Sequence, residues 1–273
     1  MRRTDPVRCP GMRQSDLISF FSITFLLTWG IAGLYMFAPG MMVRLFGNLT
    51  GTHPLYYLAN WAPAIAALIL VLYRHGFTGV RRYLSRLLLW RASLYWYGFI
   101  LVVAPLVFYL AALFKEGAYD TLFPFASVPA YLLALLLMVI KGPVEEIGWR
   151  GLALPLLQRR MAPIWAGLVV GVVWAVWHTP AFLLSVSVYS NWTFMPFFVG
   201  TVAISIIVTP LFNSSRGSIL LPALLHLQLI NPLWPDAQPY DNWLMIVIAV
   251  VMVWFNRAAM FTRQDAVTKV LPE

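Results

Sequence analysis

A single cysteine, Cys9, serves the whole chain, which excludes an internal disulfide and any thiolate metal site. Charge is nearly as scarce. Only 11% of the 273 residues are Asp, Glu, Lys or Arg while 61% are hydrophobic, so a soluble surface could not be covered with polar groups. The chain reads as a polytopic membrane protein. It shows no internal repeat, no low-complexity segment and no stretch with the composition of a soluble domain. The basic start Met1–Arg13 runs into an apolar stretch too long for a signal-peptide core and without an A-x-A exit, so it reads as a retained first span rather than a cleaved signal.

The charges that are present fall between apolar runs rather than along one basic stripe. The net charge of +9 therefore points to membrane orientation and not to a nucleic-acid partner. The hydropathy pattern predicts an all-α, polytopic transmembrane helical bundle of about eight spans: 17–38, 54–73, 93–114, 128–150, 162–184, 195–213, 217–231 and 243–256. Residues 1–16 and 257–273 are then tails around one transmembrane domain, 17–256. One or two interfacial amphipathic helices are expected besides. In Gly79–Trp90 arginines alternate with leucines as on a surface-lying helix, and Leu152–Met161 either continues the fourth helix or lies along the surface.

Alternate loops hold Arg2, Arg3, Arg8 and Arg13; Arg74, Arg81, Arg82, Arg86 and Arg91; Arg159 and Arg160; Arg216; and Arg257, Arg263 and Lys269. That is fifteen of the nineteen basic residues, against Arg44 and Lys115 on the other side with Glu116, Asp120, Asp236 and Asp241. This bias places both termini in the cytoplasm.

A short list of polar groups remains at membrane depth: Lys141, Glu145, Glu146, Arg150, His178 and His226, with Asn213 and Asn231 at helix ends. An ionisable group there costs about 2.5–3.5 kcal/mol even on lenient insertion scales, so each demands a partner or a role. Glu146 and Arg150 are i,i+4 and can pair. Glu145 points about 100° away from Glu146 and finds no partner in its own segment, so it can serve as a general base. If the fourth helix turns near Met161–Ala162, Glu145 and His178 stand sixteen residues on either side and meet at one depth. His226, about 15 Å from Arg216 at the helical rise, joins them near mid-membrane or in its inner half. Lys141 reads as a snorkelling or pairing group, and Trp149, Trp165, Trp174 and Trp177 read as packing and interface residues.

The segment E-E-I-G-W-R-G, followed by W-A-V-W-H-T-P and then by G-S-I-L-L-P-A-L-L-H, resembles the CAAX protease and bacteriocin-processing family of intramembrane glutamic endopeptidases, which includes the Rce1-type prenyl-protein enzymes. The resemblance covers a protease-like core of about residues 75–231. The E-E-x-x-x-R motif is intact at Glu145, Glu146 and Arg150, and the F-x-x-x-H motif stands as Trp174 to His178. The last motif departs. The family has Asn or Asp four residues after the second histidine, whereas here Ile230 is at that place and Asn231 follows one later. A helix end or bulge before Pro232 would restore the approach.

The resemblance implies that Glu145 and His178 activate a water molecule, that His226 and Asn231 stabilise the oxyanion, and that Glu146 with Arg150 holds the geometry. It implies no cofactor. A zinc site on Glu145, His178 and His226 is the alternative mechanism, since the same residue types serve both. The expected function is endoproteolysis of a membrane-associated or prenylated peptide or protein in the cell (inner) membrane, with the lipid bilayer as the other partner. The competing readings are a non-catalytic immunity or scaffold protein of the same fold and a proton-relay transporter. The transporter lacks the inverted repeats and paired broken spans that such folds carry.

Overall fold

The computed structural model describes residues 11–116, 123–185 and 187–272. Cys9, Arg2, Arg3, Arg8 and Asp120 lie outside the described residues. Among those described, helices connect through turns and no strand is present. Six helices are long and apolar enough to cross a membrane: α1 (Ser15–Phe37), α2 (Ala62–Leu88), α3 (Leu94–Ala112), α4 (Val128–Gln158), α5 (Pro163–Leu183) and α6 (Phe194–Ser214). Two shorter apolar helices follow, α7 (Leu220–Leu229) and α8 (Tyr240–Phe255). The protein is a polytopic helical membrane bundle.

Its outward faces are what lipid requires. Leu26, Leu34 and Phe37 on α1, Leu132, Leu133 and Leu136 on α4 and Val247, Val250 and Trp254 on α8 are exposed apolar side chains. Inside, packing relies on small residues and on hydroxyl and indole groups that bond across helices. Ala62, Ala64, Ala66 and Ala67 of α2 are buried. A Cβ on Gly148 of α4 would collide with the Pro63 backbone, so glycine sets how closely α2 and α4 approach. Thr28 of α1 donates to Ala59 O at 2.7 Å and accepts from Trp177 Nε1 at 2.9 Å, joining α1, the α2 entry and α5.

The second span begins later than hydropathy places it. Pro54–Asn60 is a separate short helix, and the chain turns at Trp61 before α2. At the other end of α2, Gly76 (φ 62°) kinks the helix where the amphipathic segment was expected to start. Arg81 and Arg82 there are exposed, but Arg86 is not the surface residue its pattern suggests. It is 2% exposed and donates to three backbone carbonyls, Gly217 O at 2.7 Å, Gly151 O at 2.8 Å and Val270 O at 2.9 Å. Carbonyl dipoles, rather than headgroups, receive this charge. The stretch after Arg150 continues α4, and residues 149–158 are all buried.

The two ends of the bundle differ. At the arginine-rich end, residues 264–272 fold back over the helix ends. Arg82 donates to Pro272 O, Arg159 to Thr268 O at 2.9 Å, and Gln158 to Val267 O at 2.8 Å. At the opposite end, Leu49, Tyr56, Leu184, Tyr189, Trp192 and Asp236 are among the residues that line a cavity of about 600 Å³.

Candidate functional site

The fourth helix is rewound where it carries the two glutamates. Its first stretch ends at Lys141, since Gly142 and Pro143 interrupt the helical hydrogen-bond ladder. Pro143–Glu145 is a 3₁₀ turn, Glu146–Gly148 one α turn, and Trp149–Ala153 a π turn. Such interruptions inside a helix concentrate at functional sites. They are held from outside: Trp61 Nε1 donates to Ile140 O at 2.7 Å, and the Tyr83 hydroxyl donates to Ile147 O. Both come from α2 or its N-cap, so that helix fixes α4 on either side of the glutamate pair.

Glu146 is the buried centre of an ion network. One nitrogen of Arg150, Nη1, lies 3.0 Å from each of its carboxylate oxygens, and His226 Nδ1 lies 2.8 Å from Oε1. Arg150 is 0% and Glu146 1% exposed. The guanidinium carbon also sits 4.7 Å from the centre of the Trp174 ring, a cation–π contact that adds to its neutralisation. Glu146 therefore does more than pair along its helix, because it orients His226 of α7.

Glu145 faces the cavity. Its partner comes from α5, where Trp174 Nε1 donates to Oε2 at 2.8 Å. Trp174, read from the sequence as a packing residue and as the aromatic place of the F-x-x-x-H motif, thus touches Glu145 directly. Its position four residues before His178, one turn along the same face, was the available signal. His178 Nδ1 lies 2.9 Å from Trp174 O. A carbonyl only accepts, so Nδ1 carries the proton and Nε2 presents its lone pair.

His226 Nε2 points at Gly142. A Cβ there would lie 2.7 Å from Nε2 and 2.5 Å from Ile230 Cδ1, so only glycine admits the ring. If Nδ1 donates to Glu146, Nε2 can donate in turn only as the imidazolium, with Glu146 as counter-ion.

Asn231 lies beyond the end of α7, where the chain leaves helical geometry at Ile230. The one-residue offset from the family spacing thus falls outside the helix. Asn231 lines the cavity with Glu145, His178 and His226. Its Oδ1 accepts from Leu233 N at 3.0 Å and from the Tyr131 hydroxyl at 3.4 Å. Asn213 is elsewhere, exchanging hydrogen bonds with Gln158 at 2.7 and 3.0 Å at the arginine-rich end. Lys141 also lines the cavity, with Nζ 5.6 and 5.8 Å from the Tyr56 and Tyr57 ring centres. Trp149 and Trp177 pack edge to face at 5.9 Å, and Trp165 is exposed.

The groups share one depth. Glu145 is thirteen residues from the end of α4 at Gln158, about 20 Å at the helical rise, and His178 is fifteen from the start of α5, about 22 Å. His226 is only six residues into α7, but α7 itself starts inside the bundle. Arg86 ties Gly217 to the level of Gly151, about 10 Å in, and His226 is about 9 Å further. The three groups thus stand about 20 Å from the arginine-rich end of the bundle, close to one level.

Among the described residues, no three His, Cys, Asp or Glu side chains gather closely enough to hold a metal ion. The hydrogen bonds already named account for this: Glu145 Oε2 is turned to Trp174 and His226 Nδ1 to Glu146.

Residues 127–231, which carry α4 to α7 and every residue of the network, match the family described as Type II CAAX prenyl endopeptidase Rce1-like. The chain is also similar to a protein named CAAX prenyl protease 2 from Methanococcus maripaludis, with 26% identity over 145 residues, 49% of this chain and 53% of the relative. The chain thus matches about half the length of that curated relative. Both findings support the Rce1-like resemblance over the segment that builds the site.

Proposed function

We propose that the chain is an intramembrane endopeptidase that hydrolyses a peptide bond in a membrane-associated substrate, with Glu145 as general base. The observation that carries this is the placement of Glu145. Its carboxylate is oriented by an indole N–H and open to a cavity large enough for an extended peptide, while its neighbour Glu146 is consumed by Arg150 and His226. The match of residues 127–231 to an endopeptidase family and the name of the archaeal relative support the same reading.

In this mechanism a water molecule donates to Glu145 and to the lone pair of His178 Nε2. Glu145 takes its proton as the oxygen attacks the scissile carbonyl carbon. The resulting oxyanion receives a hydrogen bond from His226 Nε2–H, with Asn231 beside it, and Glu146 and Arg150 are positioning residues that act through His226. The proton held on Glu145 then passes to the leaving nitrogen as the C–N bond breaks. An oxyanion donor of this kind contributes about 10²–10³ in rate. The setting we propose is the cell membrane with both termini in the cytoplasm.

The test is cleavage of membrane-anchored peptides by the purified protein in lipid, beside Glu145→Gln and with chelator added. We expect cleavage lost in Glu145→Gln and unaffected by chelator. Cleavage that persists in Glu145→Gln overturns the assignment, and cleavage abolished by chelator puts a metal in the site.

A further inference from the structure

The rewound stretch of α4 carries two parallel pairs. Glu146 has Arg150 four residues on, and Glu145 has Trp149 at the same spacing, one turn along its own face. The first pair is a closed ion contact at 3.0 Å. The second sets an acid beside a donor without a charge. The Trp149 ring is 0% exposed and packs against Phe20 at 5.4 Å, Phe21 at 6.4 Å and Trp177 at 5.9 Å, so it cannot turn away. The neighbouring indoles of Trp29, Trp174 and Trp177 each donate to an oxygen within 3.2 Å. Nε1 of Trp149 does not: it is buried without a partner at full hydrogen-bonding geometry. The carboxylate it approaches is that of Glu145, on which Trp174 and Trp149 both act as side-chain donors. Buried N–H groups are rarely left unpaired, and this one stands beside the reacting group.

We propose that the Trp149 N–H is a second donor to Glu145, so that two indoles from two helices hold the general base. This rests on the endopeptidase reading for its effect on turnover, not for the contact. The single hydrogen bond from Trp174 leaves the carboxylate free to swing about one oxygen. A second from the α4 side fixes its plane, and hence the direction in which it takes a proton from water. The neutrality of the donor decides its use. Arg150 neutralises Glu146, whereas an indole orients Glu145 and leaves its charge available to a proton. The ring is locked, so a small rotation of the carboxylate closes the bond. Trp149 is a positioning residue, because its ring is fully buried behind the residues that line the cavity.

Trp149→benzothienylalanine keeps the shape of the ring and puts sulfur in place of N–H, which isolates the donor. With the protein in lipid and a membrane-anchored peptide as probe, kcat should fall about 10-fold with KM and thermal midpoint unchanged. An unchanged kcat, or a loss accompanied by a lower midpoint, makes the residue packing and overturns the proposal. The contact is also read without turnover, from the indole N–H resonances of tryptophan-labelled protein assigned by single Trp→Phe changes. In Glu145→Ala the Nε1–H signals of Trp149 and Trp174 should both move upfield, while that of Trp177, which donates to Thr28, stays. A Trp149 signal that stays in place overturns the proposal as well. Failure of the endopeptidase reading would look different: no cleavage that depends on Glu145, with both indole signals still moved and the contact upheld.

Discussion

Removing Arg150 isolates the energetic role of the buried ion network. Arg150→Met takes away the one cation that touches both oxygens of Glu146, in a place where neither side chain meets solvent. Stranding one partner of a buried pair costs about 3–5 kcal/mol, and the remaining His226 hydrogen bond offsets part of it, so we expect a loss of about 3 kcal/mol. At about 2–4 °C per kcal/mol for a domain near this size, the thermal midpoint falls by about 6–12 °C. Intrinsic tryptophan fluorescence of the detergent-purified protein reads it, since Trp174 lies beside the network. The double variant Glu146→Gln with Arg150→Met leaves no uncompensated charge and keeps an amide oxygen for His226 Nδ1. It should recover at least half of the loss. If it unfolds as early as Arg150→Met alone, the cost comes from lost packing of the guanidinium on Trp174 and not from a stranded carboxylate, and the electrostatic account fails.

Trp174→Phe keeps the aromatic contacts but removes the donor to Glu145. A hydrogen bond to a carboxylate contributes about 1.5–3 kcal/mol, so kcat/KM for peptide cleavage should drop about 10- to 100-fold with little change in thermal midpoint. An unchanged kcat/KM would make the indole a packing residue after all. Gly142→Ala pushes a methyl group into His226 Nε2 and Ile230 and should cost about 1–3 kcal/mol along with most of the activity, whereas Gly98→Ala, which meets nothing within 4 Å, should cost neither. Arg86→Met, which leaves three carbonyls without their donor, should lower the midpoint in thermal melts, while Arg82→Met at the exposed surface stays within about 0.5 kcal/mol of the parent.

Hydropathy alone places most of the bundle, because lipid leaves the chain few alternatives to helix. It misplaces the second span at Pro54–Asn60, where the composition stays apolar while the chain turns, and it cannot see that α7 begins inside the bundle. That second error is why the depth of His226 shifts. Its distance from the arginine-rich end of the bundle follows from Arg86, a residue 140 positions away whose side chain reads as amphipathic surface until the carbonyls it meets are known. The charged core of the site is legible from i,i+4 spacing within one helix. The His226–Glu146 bond and the Trp174–Glu145 bond are not, since they join residues 80 and 29 positions apart. Nor is the rewinding of α4, although Gly142-Pro143 marks where it starts. The offset of Asn231 looks like a defect on an ideal helix, but α7 ends at Leu229, so helical spacing does not set the direction of that side chain.

The three-carbonyl clamp on Arg86 has a consequence for how the protein folds. Its acceptors belong to residues 151, 217 and 270, the last 184 positions downstream, so the guanidinium is satisfied only once all three segments have packed around it. Gly151 is the neighbour of Arg150, which couples this closure to the Glu146 network. The clamp thereby makes the docking of α4, the turn at Gly217 and the segment 264–272 one cooperative event rather than three separate ones.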